Sequence, residues 1–135
     1  EIMPSLVGSE MCIRDRQIME CYERLRKFVS DMDIEDENVY YDIRNMIEVK
    51  KIALPTAVYK AMMNFMDQVV EPYVFEDTTE IFSEEEAKRN EKGIVEIKSE
   101  QAFQKLMVRF MEKLSELDAK IETFAESELK PYLER

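Results

Sequence analysis

Histidine and tryptophan are absent from this 135-residue chain. Without histidine there is no imidazole general base, no imidazole ligand for zinc or iron, and no partner for a serine or cysteine nucleophile. Ferritin-like di-iron sites, which need Glu-x-x-His pairs, are excluded for the same reason. Glycine occurs only twice, at Gly8 and Gly93, so neither a P-loop nor a Rossmann phosphate loop can be written. Two glycines and four prolines also supply too few turns for an all-β sandwich or barrel. The two cysteines, Cys12 and Cys21, make no disulfide framework and no structural zinc site. Apolar runs stop at three or four residues, far short of the roughly 20 that cross a bilayer. The N-terminus lacks a charged start followed by an apolar stretch, so no secretory signal is visible. A reducing, cytoplasmic setting is the default expectation.

What is present is acid, methionine and helical periodicity. The formal net charge is −11, and ten methionines accompany a 45% apolar content. That apolar fraction is enough for a core in one domain of this length. The negative charge opposes binding to nucleic acid or an anionic membrane and favours a basic protein partner. It is uneven: residues 17–70 carry −3 and residues 71–135 carry −7. No internal repeat, low-complexity tract or domain boundary is evident.

Residues Leu6 to Arg16, LVGSEMCIRDR, resemble the in-frame translation of a transposase-tagmentation sequencing adapter. The resemblance implies that the gene model came from an assembled short-read contig, of metagenomic type. It also implies that residues 1–16 are foreign, that residues 17–135 form a single helical domain, and that Cys12 is not a biological cysteine.

Ile18, Tyr22, Leu25 and Val29 predict a helix over Gln17 to Met32, widened by Cys21 and Phe28. Cys21 is expected to be a buried, inert thiol. After the acidic break Asp31–Glu37, Asp33 or Asp36 can cap a second helix reaching about Ile52, with Val39, Ile43 and Met46 as its stripe and Tyr40 and Ile47 beside it. Val58, Met62, Phe65 and Val69 predict a third and most buried helix, Pro55 to Val70, which Pro72 stops. Tyr73-Val74-Phe75 then reads as a strand, and Ile94–Ile97 as its partner in a minor ribbon. Between them Ser83 and Glu86 look like the capping box of a short helix running to Glu91, with Gly93 as its C-terminal cap. Ser99 is expected to cap a last helix running to about Leu129, closed by Pro131. There Phe103, Met107, Phe110, Leu114, Leu117, Ile121 and Phe124 alternate spacings of four and three, as in a coiled-coil seam. Glu112, Lys113, Glu116, Lys120 and Glu122 fall on its solvated side. At about 45 Å this helix is longer than the others can cover, from roughly 1.5 Å per residue.

The predicted fold is mostly α, a compact bundle of about four helices with a minor two-stranded ribbon. Helices three and four should form its central pair, with helix one packed on them. No cofactor, metal or catalytic residue is expected, because only carboxylates remain to do chemistry. Asp77, Glu80, Glu84, Glu85 and Glu86 form an acidic cluster that fits a basic partner surface; a carboxylate metal site is the other reading. Leu114, Leu117, Ile121 and Phe124 are the candidate seam for a homodimer. Met62, Met63, Met66, Met107 and Met111 read first as core filling and second as an adaptable binding surface. The function this supports is a non-enzymatic protein-binding module or inhibitor, of the kind viruses and mobile elements encode. The alternatives are a helical subunit of a nucleoprotein assembly, which uses Arg24, Arg26, Lys27, Arg44, Lys50, Lys51 and Lys60, and a carboxylate-based small-ligand protein.

Overall fold

A computed structural model describes residues 12–83 and 85–133, apart from the side chains at 78 and 79. Helix α1, Ile13–Ser30, begins four residues before Gln17 and so includes part of the adapter-like segment. Cys12 Sγ caps it by accepting from the Asp15 amide at 3.4 Å. Ile18, Cys21, Tyr22, Leu25 and Phe28 are its buried face, while Val29 is only half-buried. The helix ends where Met32 takes a left-handed conformation, φ 61°, which turns the chain into a short 3-10 segment, Asp33–Glu35. Asp36 is the cap of α2, Glu37–Val49, accepting from the Asn38 and Val39 amides at 2.9 and 3.3 Å. Tyr40, Ile43 and Ile47 are buried there and Val39 and Met46 only half-buried, so the residues expected beside the stripe take its centre.

The third helix does not stop at Pro72. It starts as Thr56–Phe65, widens through a π turn over Met66–Val70, and resumes over Glu71–Val74; we call residues 56–74 α3. A proline inside an α-helix clashes with the carbonyl four residues back and removes a hydrogen bond. The π turn gives the backbone one extra residue just before it, and the Glu71 amide donates five residues back to Met66 O. Tyr73 and Val74 are therefore helical and buried, not strand. The last helix does the same. It runs Glu100–Phe124, passes a π turn over Ala125–Leu129, and resumes over Lys130–Leu133; residues 100–133 are α4. Ser99 caps it as expected, its Oγ accepting from the Ala102 amide at 3.1 Å.

These two helices carry a repeat that the sequence hides. Residues 56–74 and 115–133 align without a gap as TAVYKAMMNFMDQVVEPYV and SELDAKIETFAESELKPYL. Only Phe, Pro and Tyr are identical, yet each buried residue of the first helix except Tyr73 has a buried counterpart. Val58 matches Leu117, Met62 matches Ile121, Met66 matches Ala125, Val70 matches Leu129, and Val74 matches Leu133. The π turns fall at the same place in both. The packing is reciprocal, each helix setting its α-helical part on the other's π turn. Phe65 and Phe124 meet at the crossing as a stacked pair, centroids 4.4 Å apart and planes 24° apart.

The ribbon is a hairpin nearer the C-terminus than expected. β1, Ala87–Arg89, pairs antiparallel with β2, Val95–Ile97, with Lys88 opposite Glu96. Asn90 builds the turn by accepting from the Lys92 and Ile94 amides at 2.9 and 3.0 Å, and Gly93 takes φ 78°. Of the Ser83–Glu86 capping box only one half forms: Glu86 accepts from the Ser83 amide at 3.1 Å, while the Glu86 amide donates to the Ser83 carbonyl at 3.0 Å, closing a turn into β1 in place of a helix.

α1 lies antiparallel on α4. Tyr22 donates to Glu122 at 2.9 Å, and Arg26 pairs with Glu122 and, at 3.6 Å, with Asp118. The chain leaves α1 level with Lys113, which Glu35 receives at 2.6 Å. Residues 100–111 of α4 therefore extend beyond the cover that α1 gives. One apolar cluster joins all four helices.

Leu114, Leu117, Ile121 and Phe124 are thus core residues of the single chain, at most 8% exposed, and not a surface open to a second copy. Phe124→Ala is expected to lower unfolding stability by about 3–5 kcal/mol, the usual cost of emptying a buried aromatic site. Its solution mass by light scattering should be unchanged. A change of mass with unaltered stability would contradict this placement.

Candidate functional site

Helix periodicity carries the seam Phe103, Met107, Phe110 straight into Leu114 and Leu117 on one face. The structure divides that face in two. From Leu114 onward it is core; before Leu114 it is largely solvent-facing. Phe103 is 53% exposed, Met107 42%, Val108 58% and Met111 54%. Gln104 and Ser115 are exposed beside them. At 3.6 residues per turn these six residues share one side of α4, over about 18 Å of its length. None of them is charged. The charged residues of the same stretch, Lys105, Arg109, Glu112, Lys113 and Glu116, all lie on the other side.

That other side is held down by ion pairs. Arg109 grips Glu76 at 2.9 Å and lies 3.5 Å from Glu112 and 3.7 Å from Glu116. The Glu76 carboxyl sits below its ordinary range, chiefly because the Arg109 guanidinium hydrogen-bonds it. Tyr73 donates to Glu116 at 3.0 Å. Lys113 has no exposed side-chain surface, contrary to the solvated position expected from periodicity. The Asp33–Glu35 turn folds over it and supplies its carboxylate, so its stem packs in the core while its ammonium is paired. Lys105 reaches back to Glu86 at 2.9 Å.

The acidic cluster is less available than its sequence suggests. Asp77 is paired with Arg89 at 3.0 Å, and Glu86 with Lys105. Hydrogen bonds from Lys105 and the Ser83 amide hold the Glu86 carboxyl low. Glu80 and Glu85 are exposed, and Glu84 lies outside the described residues. Among the described residues no group of three or more His, Cys, Asp or Glu side chains is placed to hold a metal ion. The basic residues of the first three helices are largely spent as well. Arg26, Lys27, Arg44 and Lys50 each pair with a carboxylate, and Lys51 sits 5.3 Å from the centre of the Tyr59 ring. Burial pushes the Cys21 thiol up to about 11, so it stays protonated at neutral pH.

A concavity lies between α3 and α4. It has a volume of about 520 Å³ and an apolar floor of Phe65, Val69, Ala119 and Phe124. Among the described residues no helix is long and apolar enough to cross a membrane. No family model, curated protein or solved structure matches this chain.

Sequence periodicity found Phe103, Met107 and Met111 but joined them to the wrong half of the seam. Val108, Gln104 and Ser115 were missed. The signal that marks them is the one-sided absence of charge between Glu100 and Asp118, in a chain where 36% of residues are charged.

The Glu76–Arg109 pair is about three-quarters buried. Because the folded Glu76 is depressed, its contribution is present above the ordinary carboxylate value of 4.5 and lost as pH falls through the folded value. Glu76→Gln should cost about 1–2 kcal/mol at pH 7. The gap to the parent, read by denaturant titration, should narrow as the medium is acidified below that range. A gap independent of pH would assign the loss to packing.

Proposed function

We propose that this protein is a non-enzymatic binding module that docks another protein on the uncharged face of α4, residues 103–115. The observation that carries the reading is the exposure of Phe103, Met107, Val108 and Met111 side by side, on a stretch of α4, residues 103–115, whose charges lie on the other side. Contiguous apolar surface rimmed by polar groups marks interaction sites on soluble proteins. Methionine suits such a face, because its unbranched, polarisable side chain adapts to the partner's shape. The fitting partner presents an apolar groove that takes an amphipathic helix by residues at i, i+4 and i+8. The acidic balance of the chain's second half, with Glu80 and Glu85 exposed, favours a basic rim around that groove and speeds encounter with it. A reducing, cytoplasmic setting accords with this reading, as does an inhibitor or accessory subunit.

Position-specific photo-crosslinking in cells that express the full chain tests it. A photoreactive residue at Met107 is expected to give one dominant adduct. Adding Phe103→Ser and Met111→Ser should abolish it, and the same probe at Glu112, on the charged side, should give none. Equal yields from Met107 and Glu112, or no adduct from Met107, would overturn the reading.

A further inference from the structure

The groove between α3 and α4 is independent of that face, and its chemistry is specific. Its floor is the stacked Phe65–Phe124 pair with Val69 and Ala119, and Thr123, Ser127, Glu116 and Lys120 line its rim. A recess of about 290 Å³ beside it adds Pro72 and Tyr73, and Lys120 lines both. We propose that this groove binds a small organic carboxylate with an apolar body, head at Lys120 and tail on the phenyl pair.

Two observations set the sign of the ligand. First, the rim's carboxylates are already satisfied. Glu116 accepts from Tyr73 and lies by Arg109, and Glu76 of the adjoining recess is gripped by Arg109. Second, Lys120 has no carboxylate partner among the described residues; its ammonium stands 5.5 Å from the centre of the Tyr73 ring. A cation beside an aromatic wall and an open apolar floor draws an anion whose remainder is hydrophobic. Thr123 donates to Ala119 O at 3.1 Å and Ser127 to Phe124 O at 3.4 Å, so neither hydroxyl hydrogen is left for the anion and its head rests on Lys120 alone. The volume lies within the span typical of small-molecule sites, about 300–1,000 Å³.

The internal repeat explains why only one such groove is expected. In the aligned segments Val69 corresponds to Glu128 and Lys120 to Ala61. The groove's pseudo-symmetric counterpart would replace the apolar Val69 wall by a carboxylate and the Ala119 floor by Lys60, with Ala61 where Lys120 stands.

The probes are octanoate, octylamine and octanol, titrated into the full chain and followed by backbone and methyl NMR. Octanoate is expected to shift Val69, Ala119 and Thr123 in a saturable way and to bind more tightly than the other two. Lys120→Met, an exposed position, should weaken octanoate about tenfold and leave octanol unchanged. Octylamine binding as tightly as octanoate, indifference to Lys120→Met, shifts confined to Phe103–Met111, or no saturable shift with octanoate would each overturn the proposal. Met107→Gln should leave octanoate binding intact, so this test and that of the α4 face fail separately.

Discussion

The stacked contact of Phe65 on Phe124 organises the molecule. It sits where α3 and α4 cross, and each helix brings to it the same device: an apolar stripe, a π turn, then Pro-Tyr. Without the π turns, Pro72 and Pro131 would end their helices. Tyr73, Val74 and Leu133 would then leave the core. Tyr73 would lose Glu116, and the Glu76–Arg109 grip that follows it would lose its register. The extra residue in each helix thus converts two expected stops into the last turns of the core.

Once that crossing is fixed, the coverage of α4 follows from lengths. α1 can shield α4 only as far as the left-handed turn at Met32, and the Asp33–Glu35 segment spends its reach on burying Lys113. Ion pairs from Glu35, Glu76 and Glu86 then hold the charged side of α4 against the rest of the molecule. The uncharged side of residues 103–115 is left as surface. An exposed apolar ridge costs solubility, and the overall charge of −11 offsets that cost without placing any charge on the ridge. This division gives the chain a contact face and, separately, a groove.

Much of the fold is legible in the sequence because its signals are local. The inward stripe of α1, the Asp36 and Ser99 caps, and the second strand of the ribbon all follow from spacing and side-chain chemistry. The failures share one cause. A proline reads as a stop unless the backbone widens before it, and no residue type announces a π turn; the strand expected at Tyr73–Phe75 fell with that. The repeat was hidden because three identities in nineteen positions are too few to see until burial aligns them. Periodicity placed the apolar face of α4 correctly but cannot say where a neighbouring helix ends. The core half of that seam therefore reads, from periodicity alone, as an interface. The acidic cluster suffered the reverse error, since Arg89 and Lys105, distant in sequence, answer two of its charges.

The decisive measurement is the unfolding free energy of a chain carrying Phe103→Gln, Met107→Gln and Met111→Gln together, set beside that of Leu117→Ala. Both variants strip apolar side chains from one stripe of one helix. The division of α4 described above predicts that the triple variant stays within about 1 kcal/mol of the parent, as exposed substitutions do. It predicts a loss of about 2–5 kcal/mol for Leu117→Ala, as buried leucines show. A triple variant destabilised as much as Leu117→Ala would place those three residues in the fold itself. No face would then remain for a partner.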